Sequence, residues 1–245
     1  MFIEKKYYYS IDEFTKYGVE AIFTKKTAGN MADYIGENGE NNRNKILKLI
    51  NFEDKKIVHA LQKHTNRVEY IEKLKGLENL TDIDGFVTKS KEFVIFTYYA
   101  DCLPIYILDK NQKAIGLAHS GWIGTYNEMI KSLIDKMVLE FNSKKEDLLI
   151  ALGIGISQED YEVGEEFYIK FKERFPNLYN DVFINIDGKY YYDNTKMNYL
   201  LALENGILKE NIFIDNRGVK NAKTFSHRLD KENVGRSAAI ILIKE

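Results

Sequence analysis

Cysteine and proline are nearly missing from this chain: Cys102 is its one thiol, and Pro104 and Pro176 are its two prolines. A lone cysteine closes no internal disulfide, and two prolines make no proline-rich hinge. Internal repeats and low-complexity segments are also absent. Surplus charge is lacking too: 35 basic against 37 acidic side chains leave a net charge of −2, with a pI near 6.2. Despite 17 tyrosines able to stack on bases, no basic excess exists to neutralise a phosphate backbone, so nucleic acid is not an expected partner. Long apolar runs are wanting as well. "AAIILI" (Ala238 to Ile243) is far too short to cross a bilayer, and "MFIEKKYYYS" has no signal-peptide core. The expectation is a soluble cytoplasmic protein that binds no membrane. What is plentiful is core material. With 44% hydrophobic residues in 245, the chain can build one compact domain over 1–245.

Strand-like and helix-like patterns alternate along it. "EFVIFTYY" (Glu92 to Tyr99), "PIYILD" (Pro104 to Asp109) and "AIGLA" (Ala114 to Ala118) read as adjacent core strands. "TYNE" forms a capping box, so a helix should start at Thr125 and bury Met129, Ile130, Leu133, Ile134, Met137, Val138 and Phe141. Val163, Phe167, Phe171 and Phe175, at four-residue spacing, predict a second helix ending at Pro176. "VFINIDGKYYYD" reads as a hairpin about Asp-Gly, and Asp193 as the cap of a helix that stops at Gly206. "NIFID" and "SAAIILI" supply further strands. The irregular order predicts an α+β fold, mixed sheets flanked by helices.

Cys102 precedes one of these strands and His119, one of four histidines, ends another; His64 lies upstream in "LQKHTNRV". Two imidazoles and one thiolate make a three-ligand zinc site with an open fourth position, as catalytic zinc uses. The plain alternative is a small buried cysteine and ordinary polar histidines. Gly121 and Gly124 after His119 let a ligand approach the backbone, and helix amides opening near Thr125 and Tyr126 suggest an anion site in the same loop. Asp101 and Asp84 are candidates to orient an imidazole or to act as acid and base, although either could simply cap a turn. Trp122 could stack on a planar ligand or merely pack. Glu162, Glu165 and Glu166 fit as carboxylates at a helix start.

In order, "LQKHTNRV", "DIDGFVT", "YYADCLPIYILD", "GLAHSGWIGT", "YEVGEEF" and "TFSHRLDKENVGRSA" cover most of the chain. They resemble the bacterial multifunctional purine nucleoside phosphorylase family, formerly labelled multicopper polyphenol oxidase or laccase-like, which includes laccase domain-containing protein 1. The resemblance implies a zinc site at His64, Cys102 and His119. It also implies phosphorolysis of adenosine, inosine, guanosine and methylthioadenosine, with adenosine deamination in addition. Purine nucleosides and phosphate would be the small-molecule partners. Arg236 in "VGRSA", with Arg228, would hold phosphate or substrate, unless they are surface ion pairs; Gly121 and Thr125 would complete that site, and Arg67 and Arg43 are further candidates.

The chain departs from the family pattern at several positions. Ile123 stands where "HAGWRG" has arginine, and Ile154, Ser157, Gln158, Glu159 and Asp160 replace the "GPxIGPCC" residues. His227 and Leu229 replace tyrosine and arginine of "FSYRRD", and Lys25 and Lys26 stand where an arginine and paired glycines are common. These changes bear on the phosphate site and substrate range, not on the three ligands. Copper is the alternative metal, for a polyphenol oxidase, but four histidines are too few for a multicopper cluster. "HxE" and "PCxxC", the marks of nucleotide deaminases, are missing. A zinc amidase acting on cell-wall precursors and a zinc-stabilised binding module are further alternatives. The sequence leaves the oligomeric state open.

Overall fold

Apolar residues run almost unbroken through the central strands because both faces of both large sheets are covered. The computed structural model describes residues 2–230 and 235–244; residues 231–234, inside the last motif above, fall outside that description. One six-stranded sheet runs Phe2–Glu4, Tyr8–Ile11, Val19–Thr24, Ser237–Ile243, Phe93–Tyr99, Lys56–Val58. The other runs Ile212–Ile214, Leu148–Leu152, Leu103–Asp109, Ala114–Ser120, Gly85–Thr88, Val68–Tyr70. Both are antiparallel within, the first with a parallel pair at one edge and the second with a parallel pair at each edge. Inward residues of the two sheets, among them Phe23, Ile95, Tyr99, Ile241, Tyr106, Ile115 and Leu117, form one core. The helix Gly39–Leu49 covers the outer face of the first sheet through Ile46 and Leu47. Met129–Phe141 and Asn194–Glu204 cover the outer face of the second. The result is a single compact α+β domain of four layers, and no helix among the described residues is long and apolar enough to cross a membrane.

Local signals set several elements. Asp187 and Gly188, both at positive φ (52° and 81°), turn the hairpin between Phe183–Ile186 and Lys189–Tyr192. The Asp193 carboxylate accepts from the Lys196 amide 2.8 Å away and caps the helix that follows. That hairpin and a two-residue strand, Glu162–Val163, form a small third sheet. Phe167, Phe171, Phe183 and Tyr192 seal it onto the main body, with the Phe167 and Phe171 rings stacked 4.7 Å apart.

Several expectations are corrected. "EFVIFTYY" is not paired with "PIYILD": the two strands lie in opposite sheets, and Ala100–Cys102 crosses between them, with Asp101 at φ 89°. Phe93–Tyr99 pairs instead with Ser237–Ile243, a partner about 140 to 150 positions away that no local pattern reveals. "TYNE" forms no capping box. A short helix, Trp122–Tyr126, has already begun, Glu128 sits at φ 57° and pairs with Arg174, and the long helix starts at Met129. The anion site expected at the Thr125 amide therefore fails, because that amide donates to the Gly121 carbonyl at 2.9 Å. Val163 belongs to a strand, and its helix runs Glu165–Arg174. Val138, expected on the buried face of Met129–Phe141, is exposed.

Candidate metal centre and its cavity

The register of two strands builds half of the site. Pro104 pairs with His119 and Leu103 with Ser120, so Cys102, one step further, comes level with Gly121 and diagonal to His119 on the same face. His64 arrives on a loop before Val68–Tyr70, at φ 59°, a conformation a non-glycine residue holds only when its surroundings enforce it. Its Nε2 lies 3.8 Å from Cys102 Sγ, and its ring centroid lies 4.9 Å from that of His119. Ligand atoms of His64, Cys102 and His119 all fall within 4.8 Å of one another. Thiolate and imidazole ligands of a tetrahedral ion stand roughly 3.5 Å apart on ordinary bond lengths. The trio could therefore hold a metal ion.

Asp84 is what holds this arrangement. Fully buried, it takes the Nδ1 hydrogen of His119 at 2.9 Å. This leaves Nε2 as the ligand nitrogen, as in other carboxylate–histidine metal sites. The same carboxylate accepts from the amides of Lys63, His64 and Thr65 at 3.2, 3.1 and 2.9 Å and from the Thr65 hydroxyl at 2.8 Å. One side chain thus orients one ligand and pins the loop carrying another. Burial would raise its pKa, but the hydrogen bond and charge of His119 and the Thr65 donors outweigh that and hold it below the usual range.

Cys102 and His119 perturb each other. Burial pushes the thiol up, but the charge and hydrogen bonds of His119 and His64 prevail and bring it down to about 6. Burial pulls His119 down, but Cys102 and Asp84 carry it up to about 9. Each group favours the charged form of the other, which draws the sulfur toward the thiolate that binds a metal. Gly121 completes the fit by having no side chain. A Cβ there would lie 2.8 Å from His64 Cδ2 and 2.9 Å from Cys102 Sγ.

The trio opens into a cavity of about 520 Å³. Asp101, Gly121, Arg228 and Arg236 lie on its wall with the rings of Tyr34, Tyr98, Trp122 and Tyr161. Asp101 ties down the C-terminal loop by accepting from the Ser226 hydroxyl and, at 2.7 Å, from the Arg228 amide. Burial raises its pKa against these hydrogen bonds. The Arg228 guanidinium donates to the Glu162 carbonyl at 3.0 Å and sits 5.4 Å from the Tyr161 ring centre. Arg236 donates its amide to Asn30 Oδ1 at 2.8 Å. Trp122 faces the cavity and touches Phe167. Thr125 is fully buried off this wall, with its hydroxyl bonded inside the protein. Arg67 pairs with Glu69, and Arg43 with Asp33 and the Met31 carbonyl; neither lines the cavity. Of the departures, Ile123 and His227 face the cavity, whereas Lys25 binds Glu4 and Lys26 binds Asp230. Glu162 pairs with Lys189, and Glu165 and Glu166 lie in the first turn of their helix.

Sequence reasoning passed over Gln62 and Asn194. The Gln62 side chain bonds the Tyr98 amide (2.7 Å) and carbonyl (3.1 Å), fastening the His64 loop to the first sheet. Its place two residues before His64 was the available signal. Asn194, on the cavity wall next to the cap Asp193, carries none.

A family model described as multi-copper polyphenol oxidoreductase laccase matches residues 20–244. The chain belongs to this laccase-like family. A Staphylococcus epidermidis protein named purine nucleoside phosphorylase is 32% identical over 265 aligned residues, which cover 98% of this chain and 97% of that one. One from Staphylococcus saprophyticus, also named purine nucleoside phosphorylase, is 31% identical, over 87% of this chain and 84% of its own. Among solved structures, the Bacillus licheniformis hypothetical protein YfiH shares the fold with a TM-score of 0.90 at 24% identity, covering 99% of this chain and 98% of that one. YlmD from Geobacillus stearothermophilus matches at 0.90 and 22%, covering 100% and 99%.

Proposed function

We propose that the chain is a zinc-dependent purine nucleoside phosphorylase. It would cleave adenosine, inosine, guanosine and methylthioadenosine with phosphate, and deaminate adenosine in the same pocket. The observation that carries this reading is the convergence of His64, Cys102 and His119 on a cavity whose wall also holds Arg228 and Arg236. Relatives named purine nucleoside phosphorylase support it. The three ligands would hold zinc, which supplies a Lewis acid when bound.

The chain's own groups supply the rest. Arg228 and Arg236 hold the phosphate anion, and the aromatic wall receives the purine. In phosphorolysis a phosphate oxygen bonds to the anomeric carbon while the bond to the purine nitrogen breaks, its electron pair leaving with the base. The departing base takes up a proton, and Asp101 is the carboxyl group on this wall placed to hand it on. Asp84 acts through His119 by fixing which ring nitrogen carries hydrogen. In deamination, water adds at C6 and the amino group departs as ammonia.

Incubating the protein with adenosine, with and without phosphate, tests the reading. Adenine and ribose 1-phosphate formed only with phosphate support phosphorolysis; inosine formed without it supports deamination. Inertness toward every nucleoside, with or without added zinc, refutes both.

A further inference from the structure

Beneath the Ser120–Gly121–Trp122 turn lies a cluster of buried polar side chains hydrogen-bonded to one another. The Thr125 hydroxyl donates to Asn194 Oδ1 at 2.7 Å, accepts from Asn198 Nδ2 at 2.9 Å and lies 2.8 Å from Ser120 Oγ. Asn194 Oδ1 also accepts from the Tyr192 hydroxyl at 3.1 Å, while its Nδ2 donates to the Ser120 carbonyl at 3.0 Å. Ser120, Thr125, Asn194 and Asn198 are all at most 4% exposed. Such a group joins the covering helix Asn194–Glu204 to the last residue of the strand that carries His119.

The turn above it has little freedom. Gly121 packs so closely on His64 and Cys102 that even a methyl group would collide with both. Its carbonyl is held by the Thr125 amide, and the preceding carbonyl by Asn194. A shift of a few tenths of an ångström here moves the backbone against two of the three ligands.

We infer that Asn194 and Thr125 are positioning residues for the metal site, holding the Gly121 turn at the height where His64, Cys102 and His119 close on one ion. The inference rests on the zinc reading above and deepens it. It gives Thr125 a role beneath the site rather than on a substrate. Hydrogen-bonding groups one step removed from a metal commonly change its affinity 10–100-fold. A buried hydroxyl that accepts one hydrogen and donates another has no substitute partner when removed.

Zinc affinity of the full chain, measured by competition with a chromogenic chelator and without any nucleoside, is the test. Thr125→Val, which keeps the shape and removes the hydroxyl, and Asn194→Ala should each bind zinc at least about tenfold more weakly. Thr125→Ser, which keeps the hydroxyl, should stay within about threefold of wild type. Leu201→Ala, a cavity in the same helix away from the turn, should lower the melting temperature of the metal-free protein yet leave zinc affinity unchanged. Wild-type affinity in Thr125→Val overturns the inference, as does an equal loss in Leu201→Ala, which would tie affinity to stability alone. Wild-type protein that binds no zinc overturns the zinc reading itself and this inference with it.

Discussion

Asp84→Asn removes one oxygen from the group that supports two ligands at once, and its cost follows from the hydrogen bonds. Oδ1 serves His119 Nδ1 and the His64 amide; Oδ2 serves the amides of Lys63 and Thr65 and the Thr65 hydroxyl. Whichever oxygen becomes NH2, at least two donors lose their acceptor, since a hydroxyl can turn away but a backbone amide cannot. At about 1–3 kcal/mol for each buried donor left unsatisfied, the metal-free protein should lose about 2–6 kcal/mol of a total stability of about 5–15 kcal/mol. Urea unfolding followed by circular dichroism measures it. The Asp84 pKa is lowered in the folded chain. Its charge therefore contributes fully above the ordinary aspartate value of about 3.9 and is lost as pH falls through the lower folded value, so the gap to Asp84→Asn should narrow only in acid. Zinc affinity should drop about 10–100-fold. A variant less than about 1 kcal/mol destabilised, with wild-type affinity for zinc, would refute the assignment of Asp84 as the organiser of the site.

Gly121→Ala should fold, because φ −72° suits any residue, yet lose zinc because its methyl group meets His64 and Cys102; equilibrium dialysis reads the loss. In metal-free protein the absorbance of the Cys102 thiolate at ~240 nm should rise as pH passes about 6, and that rise should move to higher pH once His119 is replaced by alanine. The stability contributed by the His119 charge is complete below about 6.5 and lost as pH rises through about 9, so His119→Ala should differ most from wild type on the acid side of that window. Arg236→Ala and Arg228→Ala should each raise the KM for phosphate about tenfold or more, the equivalent of about 1.4 kcal/mol, while zinc content stays constant.

Features governed by near neighbours were readable in the chain. The Asp187–Gly188 turn and the Asp193 cap need only a few adjacent residues, and both are present. The "TYNE" motif had equally good local chemistry, but tertiary partners won. Asn194 and Asn198 took the Thr125 hydroxyl, and Arg174 took Glu128. Val163 kept the helical spacing of its aromatic neighbours, yet pairing with Tyr190 drew it into a strand.

The sequence by itself determined the chemical kind of the site, because only a few residue types offer a thiolate or an imidazole, and this chain has one cysteine and four histidines. It also determined the central strands Phe93–Tyr99, Leu103–Asp109, Ala114–Ser120 and Ser237–Ile243, since β-branched and aromatic runs of that length suit sheets covered on both faces. Tertiary structure alone decided which sheet each strand joins, and that Asp84, not Asp101, orients an imidazole. It alone brought Arg228 and Arg236 to the cavity that holds His64. Those outcomes depend on contacts between residues up to about 220 positions apart, and packing and buried hydrogen bonds select them only once the layers have closed.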